Sequence, residues 1–94
     1  MESVSLDDVR LLHGMIDDHQ AELLQERTRL DGLRLEWTRK LAVANQLRAA
    51  GQLDLASARF DEAQALYGQI AEVERRIARL EELIGILRRR QQAL

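Results

Sequence analysis

Ninety-four residues, 32% of them charged and 46% hydrophobic, with a formal net charge of −2, suffice for one small domain. A single Trp, Tyr and Phe, with no proline, give a β-rich fold little to work with, whereas abundant Ala, Leu, Glu, Gln and Arg is the composition of long helices. No cysteine is present, which excludes disulfides and thiolate metal sites. Uninterrupted apolar runs are far shorter than a membrane span, and the opening MESVSLDD is acidic and polar, unlike a signal peptide. The expectation is a soluble, cytoplasmic chain.

The first element is a helix over 5–50. Ser5 is a candidate N-cap, with Asp8 three residues on and Val4 placed to pack against Val9 as a hydrophobic staple. Position a of a heptad falls on Val9, Ile16, Leu23, Leu30, Trp37 and Ala44. Position d falls on Leu12, His19, Glu26, Leu33, Lys40 and Leu47, half of them polar. Gly51 interrupts this pattern and suits the left-handed residue that closes a helix, so a turn is expected at 51–53. A second helix follows over 54–92, with Asp54 as its cap and Arg88, Arg89 and Arg90 in its last turns, where cations favour the helix dipole. Its a positions are Ala56, Ala63, Ile70, Ile77 and Ile84; its d positions are Arg59, Leu66, Val73, Leu80, Leu87 and Leu94.

The two registers fit each other. Leu47/Ala56, Ala44/Arg59, Lys40/Ala63, Trp37/Leu66, Leu33/Ile70, Leu30/Val73, Leu23/Leu80 and Ile16/Leu87 all share one residue-number sum, so a turn at Gly51 and Gln52 aligns every layer without a slip. The fold class is therefore all-α: 1–94 as a single antiparallel two-helix coiled-coil hairpin, each helix roughly 60 Å long. The alternative, one continuous helix in a parallel dimer, strands Gly51 and the frame break in mid-helix.

Charge is unevenly spread. Residues 1–26 hold seven acids against Arg10, whereas residues 75–94 hold six arginines against Glu81 and Glu82. An acidic beginning and a basic end attract if the chain folds back. Matched on the layer sum, Arg29/Glu74 is complementary, but Glu22/Glu81 and Arg27/Arg76 bring like charges together, a repulsion that a second chain could relieve.

More apolar residues are present than one seam can bury. Met15, Leu41, Val43, Phe60, Tyr67 and Leu83 fall at e or g. Trp37, Leu41, Val43, Phe60 and Tyr67 are expected to form an apolar cluster near the turn, either scattered surface side chains or a partner interface. The interface reading implies a homodimer, most simply a four-helix bundle, or another protein's helix.

No chemistry is legible. His13 and His19 do not share a helix face; His13 with Asp17 reads as a surface pair, and Glu26 and Lys40 at d read as register-fixing polar residues. No phosphate loop, nucleophile elbow or convergent pair of acids is present, so no catalytic residue, cofactor, metal or small-molecule substrate is expected. The arginines of the second helix lie beside an acidic first helix with no interleaved aromatic, which argues against nucleic acid.

The stretch GQLDLASARFDEAQALYGQI (Gly51–Ile70), followed by RIARLE (Arg76–Glu81), resembles the coiled-coil tip and descending helix of the bacterial Gre transcript-cleavage factors, whose pattern is close to GDLSENAEYDAAKEEQGFI and then RI-x-x-LE. Ala58, Phe60, Asp61, Ala63, Gly68 and Ile70 coincide or nearly so. The resemblance implies a bacterial hairpin whose tip, here Gln52 and Asp54, enters the secondary channel of RNA polymerase. Gln52 and Leu55 stand near where the family's two metal-holding tip acids would be, Asp54 is the only acid available there, and the family's globular domain has no counterpart, so cleavage activity is not implied. By size and architecture alone, the chain is also similar to the small helical-hairpin chaperones of type III secretion. The functional expectation is a non-enzymatic protein–protein interaction module, an adaptor, chaperone or regulator; the alternative is a Gre-like regulator of RNA polymerase without cleavage activity.

Overall fold

The computed structural model describes residues 5–94. They form two long α-helices, α1 (Leu6–Ala49) and α2 (Leu53–Ala93), with no strand among the described residues. The helical hairpin expected from composition and periodicity is what the chain adopts.

Local chemistry fixes the ends. The Ser5 hydroxyl accepts from the Asp7 amide at 3.2 Å while the Ser5 carbonyl takes the first helical bond from Val9, so Ser5 is the N-cap of α1. Asp7 and Asp8 in the first turn complement the positive end of the helix dipole. Val4, the proposed staple partner of Val9, lies outside the described residues.

At the other end of α1 the backbone forms a Schellman closure. The Gly51 amide donates to the Arg48 carbonyl at 3.0 Å and the Gln52 amide to the Leu47 carbonyl at 2.9 Å. Gly51 sits at φ 78°, the left-handed conformation that L side chains resist. The Gln52 carbonyl then accepts from Ala56 at 3.0 Å, which makes Gln52 itself the N-cap position of α2.

This corrects the capping role expected of Asp54. Because one residue both closes α1 and opens α2, the turn is shorter than a capping aspartate at 54 requires. Asp54 lies inside the first turn of α2 and acts there through its charge.

Contacts within the chain group into two compact units. A turn unit spans Thr28–Glu74, and a terminal unit joins the chain up to Arg27 with Arg75–Leu94. In the turn unit the antiparallel seam buries Leu30, Ala44, Ala56, Ala63, Leu66, Ile70 and Val73, with Leu33, Trp37 and Leu47 half-buried beside them. In the terminal unit Ile16, Leu23, Leu80, Ile84 and Leu87 are buried, and Ile77 packs against the cluster of Leu23, Leu80 and Ile84.

These are the a and d positions, so the heptad stripe, not helix propensity alone, sets which side of each helix turns inward. One seam assignment fails. Leu94 is 55% exposed, because α2 ends at Ala93 and the last residue has no helical frame to direct it inward.

Candidate interaction surfaces

In an antiparallel helix pair, position e of one helix borders e of the other on one flank, and g borders g on the opposite flank. The ion pairs follow this rule. Arg27 reaches Glu81 at 2.9 Å in the terminal unit, and Arg34 reaches Glu74 at 3.4 Å in the turn unit, both e to e. Matching flanking residues on the layer sum therefore paired the wrong sides.

Glu22 and Arg76 line one groove while Arg27 and Glu81 line another, so the expected like-charge contacts Glu22/Glu81 and Arg27/Arg76 do not arise. Glu74 takes Arg34 rather than Arg29. The repulsion that a second chain was expected to relieve is absent.

The e flank of the turn unit carries most of the expected apolar cluster. Trp37 and Tyr67 bring their rings to 6.3 Å between centroids at 44°, a tilted aromatic contact. Trp37 is half-buried because it occupies a seam position, whereas Tyr67 at e is 61% exposed. Around them an open groove of about 270 Å³ is walled by Ile70, Thr38 and the Arg34–Glu74 pair. The Thr38 hydroxyl is turned away, donating to the Arg34 carbonyl at 2.9 Å.

Phe60 is half-buried beneath the Arg48 guanidinium, 5.7 Å from its ring centre, and Leu41 is half-buried at the neighbouring e position. Val43 is at g. It lines a different groove with Glu36, Arg39, Lys40 and Arg59, so the five residues do not make one patch.

Polar seam residues find partners unequally. The stems of Lys40 and Arg59 cross the layers of buried Ala44 and Ala63, and both cations converge on Glu62; Lys40 Nζ lies 2.6 Å from its carboxylate. The hydrogen bond from Lys40, assisted by the Arg59 charge, holds the Glu62 carboxyl below the usual carboxylate range. Glu62 was not among the sequence candidates. Its position beside two seam cations was the signal.

In the terminal unit the seam residues His19 and Glu26 fare worse. His19 Nδ1 stands 3.7 Å from Glu22, beyond hydrogen-bond reach, and Glu26 Oε2 is buried without a partner. The other Glu26 oxygen is 4.0 Å from Arg76. His13 does not pair with Asp17; the Gln91 amide contacts its Nε2 at 2.7 Å.

At the turn, Gln52, Leu53, Asp54 and Leu55 are all exposed, with Leu53 at 65% and Leu55 at 53%. No cluster of His, Cys, Asp and Glu able to hold a metal ion occurs among the described residues, and none of their helices is long and apolar enough to cross a membrane. The chain matches no protein-family model, no curated protein and no solved structure.

Proposed function

We propose that this protein is a non-enzymatic interaction module, an adaptor, chaperone or regulator that binds another helix along the e flank of its turn unit. The observation that carries this reading is the open Trp37–Tyr67 groove, an aromatic pair in a frame of salt-bridged charge. Helix-in-groove recognition needs such a strip: a few large apolar anchors with a polar rim that excludes wrong registers. Tyr67 offers a broad apolar face at low conformational cost, and Phe60 and Leu41 extend the strip along the same flank. The partner is a helix of another protein or of a second copy.

A second reading has its own support in the exposed leucines at the turn. A tip that presents Leu53 and Leu55 beside Gln52 and Asp54 suits insertion into a larger assembly, as the resemblance to the Gre factors implies for RNA polymerase. The two readings separate in a pull-down from the native host with wild type, Phe60→Ala/Tyr67→Ala and Gln52→Ala/Asp54→Ala. Partners lost only with the first variant support the flank. Polymerase subunits retained by wild type and lost only with the second transfer the function to the tip.

A further inference from the structure

The g flank of the terminal unit combines three properties. Its α1 side carries Asp8, Asp18 and Glu22 around the apolar Leu11 and Met15; its α2 side carries Arg76, Arg79 and Arg90 around Leu83 and Ile86. The apolar members are exposed, Leu11 at 65% and Met15, Leu83 and Ile86 at 36–39%. Two open grooves run between them, about 450 Å³ beside Leu11 and Met15 and about 240 Å³ beside Leu83. Among the described residues, no ion pair within 4 Å involves Asp8, Asp18, Arg79 or Arg90, whereas on the opposite flank Arg27 pairs with Glu81 at 2.9 Å; Arg76 also lies 4.0 Å from the seam residue Glu26.

We propose that this flank is a self-association surface whose occupant is a second copy of the same chain, with α1 of each copy lying on α2 of the other. The pattern is self-complementary, as an isologous interface requires: each copy offers one acidic and one basic stripe, and each needs the other's. Two orientations can bring the flanks together. A two-fold axis perpendicular to the helices lays α1 on α1 and α2 on α2, acid against acid and arginine against arginine. A two-fold axis parallel to the helices lays each acidic stripe on a basic one, with Leu11, Met15, Leu83 and Ile86 enclosed between them. Charge selects the second. This inference goes beyond the proposed function, because it uses the other flank and a different unit and names the partner.

The test is a charge exchange read by sedimentation equilibrium at tens of micromolar. Wild type is expected at twice its 10.8 kDa chain mass. Asp18→Arg/Glu22→Arg makes both stripes basic, and Arg79→Glu/Arg90→Glu makes both acidic. Each variant alone is expected to associate at least about tenfold more weakly, since exposed attractive pairs become repulsive. An equimolar mixture should recover the dimer, because every stripe again meets its opposite; recovery also shows that both variants remain folded. Ile86→Gln, at an exposed position, should weaken association without loss of helicity by circular dichroism. A wild-type monomer at these concentrations overturns the proposal. So does a dimer indifferent to the charge exchange but lost with Phe60→Ala/Tyr67→Ala, which places the second copy on the Trp37–Tyr67 flank instead. Loss of other partners with the Phe60 and Tyr67 changes, the dimer intact, leaves this proposal standing.

Discussion

At the scale of single residues, the backbone at Gly51 and two polar groups, the buried Glu26 oxygen and the paired Glu62 carboxylate, set the sharpest expectations. Gly51→Ala introduces a Cβ that meets nothing within 4 Å but must hold φ 78°, so the cost is conformational, about 1–2 kcal/mol, read as a lower urea midpoint with unchanged slope. Glu26→Leu removes a buried oxygen without a partner from a layer that faces Ile77. Stability should rise by about 1–3 kcal/mol in the same assay. Glu62 gives the pH dependence. Its folded-state carboxyl titrates below its unfolded value, so the Lys40–Glu62–Arg59 group stabilises above the ordinary carboxylate range. That contribution fades as pH falls through the depressed value. Glu62→Gln should flatten the acid limb of the stability curve, and thermal melts between pH 3 and 6 will show it.

At the scale of the helix, caps and interior composition act on opposite sides of the ledger. Ser5→Ala removes the acceptor for the Asp7 amide and should cost about 1 kcal/mol, seen first as faster amide exchange in the opening turn of α1. Gly68 faces open space in the middle of α2, and Gly68→Ala should stabilise by up to about 1 kcal/mol. The heptad stripe was legible in the sequence because burial alone dictates it: every residue from Ile16 to Leu87 buried in the seam lies at a or d. The Schellman glycine was legible because few residues tolerate that φ. The N-cap of α2 was not. Asp54 outranks Gln52 as a cap by propensity, and only the backbone path shows that the closure of α1 has already placed Gln52 there. The flanking pairs were misjudged for a geometric reason, since a rule that aligns seam layers says nothing about which side of the seam a residue occupies.

At the scale of the whole molecule, the seam predicts intrachain neighbours and the outer flanks predict intermolecular ones. Leu23→Cys/Leu80→Cys should form a disulfide within one chain under mild oxidation, with no dimer band on a non-reducing gel, because both side chains belong to one buried cluster. If a second copy docks on the terminal unit, the melting temperature should climb with protein concentration and fall with added salt. The site was less legible than the fold. Composition shows that surplus apolar residues exist, but separating Val43 from Trp37, Tyr67 and Phe60 requires the flank assignment that the grooves supply. The economy of the turn has a further consequence. Only Ala50, Gly51 and Gln52 separate the end of α1 from the start of α2, so the connection has almost no slack. It acts as a tether that keeps two self-complementary helices at an effective concentration of about millimolar or more. Peptides made by splitting the chain between Ala50 and Gly51 should therefore refold only bimolecularly, and the ratio of their dissociation constant to the intact chain's unfolding constant would measure that tether directly.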